Sequence, residues 1–202
     1  FDNKKILILG LARSGYEAAK YLSKFNNTII VNDGGDVNKQ DKSKIEELEK
    51  LGVQMIFGSH PDELLDDSFD YLIKNPGIRN DHKYVVRAKE LGIEVINEAE
   101  MAFRLLPSDV TLIGITGTNG KTTTTTLTYE MIKKSGKRVH LAGNIGYPLC
   151  SFLEKLESGD INVMEVSCQQ LANMKEFRPD IALMTNLSEA HIDFFGSYEE
   201  YK

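Results

Sequence analysis

At 202 residues the chain is long enough for one or two domains that bury a core without help from disulfides or metal. Its 41% hydrophobic and 27% charged residues exclude long disorder and fibrous repeats, and a net charge of −6, shared equally by the two halves, excludes a basic nucleic-acid-binding face. No apolar run approaches the ~18 residues that span a membrane, the opening FDNKKILILG lacks a signal-peptide layout, and Cys150 and Cys168 form no metal-type cluster with the four histidines, so a cytoplasmic protein with no membrane partner is expected.

Short apolar runs alternate with amphipathic stretches. KILIL at 5–9 is a continuous apolar run, as in a strand buried on both faces. Residues 14–24 show helical spacing, with Ala18, Ala19, Leu22 and Phe25 inward. TIIV at 28–31 is a second strand, 43–51 an amphipathic helix closed by Gly52, and 53–57 a third strand. Residues 71–74 form a fourth strand that ends on the turn Asn75-Pro76-Gly77. A helix over 84–91, a fifth strand over 93–96 and a helix over 98–105 follow. The pattern then restarts with a buried strand at 110–115, a helix at 121–134, and strands at 138–141, 162–166 and 181–185. Such alternation implies α/β architecture with parallel sheets. Two domains are expected, a Rossmann-like domain at 1–107 and a P-loop domain at 108–202.

Thr116-Gly117-Thr118-Asn119-Gly120-Lys121-Thr122 follows a buried strand and opens a helix. Glycines let backbone N–H groups converge on an anion at the positive end of the helix dipole. Lys121 adds charge for the β- and γ-phosphates, and Thr122 a hydroxyl for Mg²⁺. Ile115 stands where a full P-loop has its first glycine, so only G-x-x-G-K-T is present, and a glycine turn with a threonine cap is the alternative. Gly10-Leu11-Ala12-Arg13-Ser14-Gly15 resembles a dinucleotide loop with Ala12 at the second glycine, and Asp33 stands near the offset of a ribose-binding acid. Taken alone this suggests NAD or a simple tight turn. Glu165 ends a strand within Glu165-Val166-Ser167-Cys168-Gln169-Gln170, where it reaches a cation placed by Thr122 or is merely solvated. His191, in Thr185-Asn186-Leu187-Ser188-Glu189-Ala190-His191-Ile192-Asp193, offers a second metal ligand or a phosphate contact, or is an exposed loop histidine. Asn144, in Gly143-Asn144-Ile145-Gly146-Tyr147-Pro148, gives a polar contact or simply marks a glycine turn.

GITGTNGKTTTTT, GNIGYP, EVSCQQL and TNLSEAHID, in this order, resemble the ATP-dependent Mur ligases of peptidoglycan synthesis. ILGLARSGYEAAKYL, VNDGG, FGSHP, IKNPGI and INEAEMAF resemble the branch of that family that adds D-glutamate to UDP-N-acetylmuramoyl-L-alanine. The resemblance implies a monomeric ATP- and Mg²⁺-dependent ligase that works through an acyl phosphate and serves cell-wall biogenesis, cell shape and cell division. It implies Lys121, Glu165 and His191 as catalytic residues, and Gly117, Thr118, Asn119, Gly120, Lys121, Thr122 and Thr123 as the ATP site. Thr122, Glu165 and His191 would be metal ligands. Arg13, Ser14, Asp33, Gly34, Asn75, Pro76, Gly77, Asn144, Ser167 and Gln170 would bind the UDP substrate, with Ala12 disfavouring NAD. Departures from the family pattern are Cys168-Gln169 in place of Ser-Phe, and Ala190 where an acid often precedes the histidine. The family also carries a carbamylated lysine ligand and a third domain beyond Lys202, and Phe1 replaces a start methionine, so a fragment inactive alone is expected. The competing readings are a sister ligase that adds L-alanine, a non-catalytic nucleotide-sugar-binding protein, and an NAD oxidoreductase that would leave residues 117–122 unexplained.

Overall fold

The computed structural model describes all 202 residues. In the first unit, Phe1–Glu98, β1 (Lys5–Leu9) has four of its five residues buried, as the apolar run requires. Around it lie β2 (Thr28–Asp33), β3 (Gln54–Phe57), β4 (Tyr71–Lys74) and β5 (Glu94–Ile96). Every pairing is parallel, in the order β3-β2-β1-β4-β5. Parallel neighbours need crossovers, and α1 (Arg13–Leu22), α2 (Lys42–Lys50) and α3 (Lys83–Glu90) lie in three of them. Leu7, Leu9, Leu72 and Val85 are wholly buried between sheet and helix, each contributing about 1.5–3 kcal/mol. The strand order reverses at β1, and β2 and β4 flank it, so a crevice opens beyond their carboxyl ends.

The second unit, Ala99–Lys202, has its own four-stranded parallel sheet in the order β7-β8-β6-β9. Its strands are β6 (Thr111–Thr116), β7 (Val139–Gly143), β8 (Ile161–Glu165) and β9 (Ile181–Met184). The sheet is flanked by α4 (Glu98–Arg104) and α5 (Lys121–Lys134), with three one-turn helices: α6 (Cys168–Leu171), α7 (Ile192–Phe195) and α8 (Tyr198–Tyr201). Two separate parallel sheets are thus present, as the restart of the pattern near residue 110 implies.

The division falls between residues 98 and 99 rather than after Pro107, because α4 makes its contacts with the second unit. Wholly buried Glu100 accepts from the backbone N–H of Glu176 (2.9 Å) and of Phe177 (3.0 Å). Arg104 holds the same carboxylate at 2.8 Å, and Phe103 meets the Phe177 ring edge-on. A carboxylate so enclosed is expensive to leave unpaired, which ties α4 to the segment before β9.

The threonine run 122–126 is helical despite its mediocre propensity. Only Thr125 of the five is buried. Tyr129 and Ile132, further along α5, pack on Ile113, Ile115 and Val163, so tertiary contact decides the helix. The helices α6, α7 and α8 fall where periodicity is too short to register.

Candidate functional site

Each unit places its polar motifs at the carboxyl ends of its strands. In the second unit β6 delivers the glycine turn. Gly117 (φ +136) and Gly120 (φ +80) hold left-handed backbone, and α5 begins at Lys121. The first N–H groups of α5 lack intrahelical acceptors and carry the positive end of its dipole. Lys121 Nζ folds back to donate to Gly117 O (2.7 Å) and Thr118 O (2.9 Å), which holds its ammonium over the turn. Thr122 Oγ1 donates to Glu165 Oε2 at 2.7 Å, and Asn144 Nδ2 donates to the other oxygen, Oε1, at 2.6 Å. Asn144 N also donates to Glu165 O at 2.9 Å, so the ends of β6, β7 and β8 converge on one carboxylate that is 1% exposed. Gly143, at φ +96, permits this approach, because a β-carbon there would overlap the Glu165 carbonyl.

The turn is gripped by Thr185, Asn186 and Ser188, which follow β9. Thr118 N donates to Asn186 O and Asn119 N to Asn186 Oδ1, each at 3.0 Å. Asn119 O accepts from Thr185 Oγ1 (2.6 Å) and from Asn186 Nδ2 (2.8 Å). Thr118 Oγ1 pairs with Ser188 N and with the Tyr201 hydroxyl. A β-carbon on Gly117 would overlap Thr185 Oγ1 and lie 2.9 Å from Asn186 O.

Other expected residues sit differently. Ser167 and Gln170 engage each other in a capping box at the start of α6, with Ser167 N donating to Gln170 Oε1 at 2.9 Å. His191 adopts a left-handed φ of 53 before α7, faces Gln169 Nε2 through Nδ1 at 3.3 Å, and lies beside the Tyr201 ring. No three His, Cys, Asp or Glu side chains converge to hold a cation. The oxygen pair Thr122–Glu165 nonetheless suits Mg²⁺, which takes one or two carboxylates and draws its remaining ligands from phosphate and water. Thr123 is exposed on the first turn of α5. Both cysteines are free, and burial raises the Cys168 thiol above its ordinary pKa.

In the first unit a cavity of about 330 Å³ opens beyond β1, β2 and β4, lined by Gly10, Ala12, Asn32, Asp33, Gly34, His60, Asn75, Ile78 and His82. Asp33, Gly34 and Asn75 line it as expected. Arg13 is exposed at the first position of α1. Ser14 Oγ accepts from Asn75 Nδ2 at 3.2 Å, and Asn75 Oδ1 accepts from Gly77 N at 3.0 Å, which shapes the Asn75-Pro76-Gly77 turn. Asp33 spends both oxygens on backbone: Oδ2 accepts from Leu11 N and Oδ1 from Gly35 N, each at 2.7 Å. It braces the glycine turn, and each oxygen keeps a lone pair for a further donor. His60 and His82 are additions that residue spacing did not supply. They come from distant loops and meet with ring centroids 4.8 Å apart. Burial, followed by the proximity of His60, lowers the His82 pKa below its ordinary value.

Comparison with known proteins matches each unit to a domain family. Residues 4–97 match the model of the Mur ligase MurD-like N-terminal domain, and residues 115–202 match the Mur ligase middle domain. The whole chain is 49% identical to a UDP-N-acetylmuramoylalanine–D-glutamate ligase of Streptococcus agalactiae serotype III and 47% identical to one of Streptococcus pyogenes serotype M1, and it spans 44% of each. Among solved structures, the UDP-N-acetylmuramate–alanine ligase MurC of Thermotoga maritima aligns over 98% of this chain and 45% of its own, with a TM-score of 0.55 at 22% identity, a likeness of fold. The chain belongs to the Mur ligase family, of which it carries the MurD-like N-terminal domain and the middle domain.

Proposed function

We propose that this chain is the nucleotide-sugar-binding and ATP-binding part of a ligase that joins D-glutamate to UDP-N-acetylmuramoyl-L-alanine in peptidoglycan synthesis. The observation that carries this reading is the meeting of Lys121, Thr122, Asn144 and Glu165 at the ends of three strands, beneath a left-handed glycine turn. Such a constellation suits phosphoryl transfer, where catalysis is positioning and charge neutralisation. The γ-phosphoryl of ATP passes to the terminal carboxylate of the muramoyl-alanine, the D-glutamate amine attacks the acyl phosphate, and phosphate leaves as the amide forms. Lys121 and the N–H groups at the start of α5 hold the phosphates, and Thr122 and Glu165 would hold Mg²⁺. Bound there, Mg²⁺ offsets the repulsion between two anions that must approach each other. Asn144 keeps the Glu165 carboxylate oriented, and His191, beside Gln169, would serve a second cation. The first-unit cavity takes the UDP moiety. ATP dependence, a cytoplasmic site of action and a role in the cell cycle belong to the same proposal, and the relatives' names support its D-glutamate-ligase part. No helix is long and apolar enough to cross a membrane.

The test measures phosphate release with ATP, UDP-N-acetylmuramoyl-L-alanine and D-glutamate, for the 202-residue chain and for a chain extended to the relatives' length. The extended chain should turn over and prefer D-glutamate to L-alanine. The short one should bind UDP but turn over at least about 10³-fold more slowly, because holding the reactants in place is worth about 7–11 kcal/mol. Equal turnover by both, or preference for L-alanine, would sink this reading.

A further inference from the structure

We propose that His60 reads the nucleotide in the first-unit cavity as a hydrogen-bond acceptor, so that this site selects ligands presenting an N–H or O–H to the His60 Nε2 lone pair. The inference rests on the reading that the cavity takes UDP. It begins at Asn32, which is wholly buried at the end of β2. Its amide nitrogen donates to two backbone carbonyls, Ile56 O at 3.1 Å and Ser59 O at 2.8 Å. Carbonyls only accept, so the amide has one permitted orientation and its oxygen faces His60 Nδ1. An amide oxygen also only accepts, so Nδ1 carries the hydrogen and Nε2 of the neutral ring is bare. That bare nitrogen lies over Gly34, 2.7 Å from where a β-carbon on Gly34 would stand, and both residues line the cavity.

The neighbouring histidine is set the opposite way. Tyr84 N donates to His82 Nδ1 at 3.2 Å, so His82 carries its hydrogen on Nε2. The first unit therefore holds one imidazole of each tautomer, and the two rings meet edge to face. Lys83, which extends its ammonium to the His60 carbonyl and to Asp62, adds positive charge beside His82, whose pKa is lowered by burial, then by His60 and Lys83.

A uridine nucleotide offers two kinds of donor to Nε2: the imide N–H of the base and the ribose hydroxyls. Cytosine has a bare ring nitrogen at the imide position and would set lone pair against lone pair. Deoxyribose removes one hydroxyl and keeps the base. UDP, CDP and 2′-deoxy-UDP therefore separate the two sources.

The experiment titrates the 202-residue chain with each nucleotide, by calorimetry and by nitrogen-15 NMR of the histidine rings. In the free chain His60 should show protonated Nδ1 and bare Nε2. UDP should shift the Nε2 resonance in the direction of an accepted hydrogen bond. CDP should bind about tenfold more weakly if the imide is the donor, and 2′-deoxy-UDP about tenfold more weakly if the ribose is. His60→Phe should lose about tenfold in UDP affinity, with His60→Gln, whose amide oxygen reaches the same place, recovering part of it. If His60→Phe fails to fold, the NMR titration of the unaltered chain decides alone. A free-chain tautomer with hydrogen on Nε2 overturns the proposal. So does UDP binding that moves the Gly10 and Asn75 amides while the Nε2 resonance stays still, and in that case the UDP reading survives. Absence of binding by all three nucleotides removes both.

Discussion

The turn after β1 and the turn after β6 both curl glycine-rich backbone into the start of a helix, yet different chemistry braces them. Beneath the first lies a carboxylate: Asp33 takes the N–H groups of Leu11 and Gly35. The second is gripped by neutral groups, the side chains of Thr185 and Asn186 and the Asn186 carbonyl, while the Glu165 carboxylate is held by Thr122 at the start of α5 and Lys121 folds over the turn. A fixed negative charge under a turn lowers its appetite for a dense anion, and a lysine above one raises it. The proposed placement of ATP in the second unit rests on the lysine held over that turn.

The sharpest way to break this comparison is at Gly117. Gly117→Ala places a β-carbon into Thr185 Oγ1 at a φ of +136, so ATP binding should vanish and the second unit should lose more than ~3 kcal/mol of stability. Gly120→Ala, at a φ of +80 with nothing within 4 Å, should lose only about 1–2 kcal/mol. Thermal melts and ATP titrations of the two variants compare steric overlap with backbone strain alone. Equal effects would remove the grip of Thr185 and Asn186 from the account.

Lys121→Ala comes next. It should cost ATP binding at least about 2–3 kcal/mol, a charge-assisted contact's worth, and leave UDP affinity within about twofold because the two turns share no residue. Calorimetry with each nucleotide checks both halves. In the first unit, Asp33→Ala should weaken UDP by ~1–3 kcal/mol through release of the Leu11 and Gly35 N–H groups. Asp33→Asn, which retains one acceptor oxygen, should lose less. Equal losses would mean that the carboxylate touches the ligand directly.

The smallest effect expected is one of pH. Lys74, 1% exposed at the end of β4, donates to Ile78 O at 2.5 Å. Burial, and then Lys89, lowers its pKa from 10.5 to about 8. Between those values the unfolded chain binds more protons than the folded one, so raising the pH through the window stabilises the first unit, by something on the order of 1–3 kcal/mol. Scanning calorimetry from pH 7.5 to about 10 should show this rise, and Lys74→Met should flatten it. A rise of the same size in the variant would place its source elsewhere.

Much of this architecture is legible in the chain. KILIL and TIIV announce strands buried on both faces, and β1 and β2 follow them closely. The lysine-bearing turn is visible because its glycines and lysine stand at fixed spacing between one strand and one helix, and Glu165 because it ends an apolar strand. What stays hidden is what depends on packing between distant segments. Ser167 and Gln170 read as ligand-facing residues, and only the fold shows that they also form a helix cap. Asp33 has the right offset for a ribose, but only the fold shows that it also braces the turn through Leu11 and Gly35. His60 and His82 stand 22 residues apart in the chain with no pattern linking them, and tertiary structure alone makes them neighbours. Helix α4 follows the first unit in sequence, but Glu100 and its backbone donors at 176–177 draw it to the second.

The position of His60 Nε2 over Gly34 also bears on how this sequence can drift. With a β-carbon at 34 lying 2.7 Å from that nitrogen, the two residues act as a lock and its clearance. A lineage that gains any side chain at the glycine must displace the imidazole, and one that loses the imidazole frees the glycine to vary. Among relatives the two positions should therefore change together, and those that keep the histidine should keep the glycine.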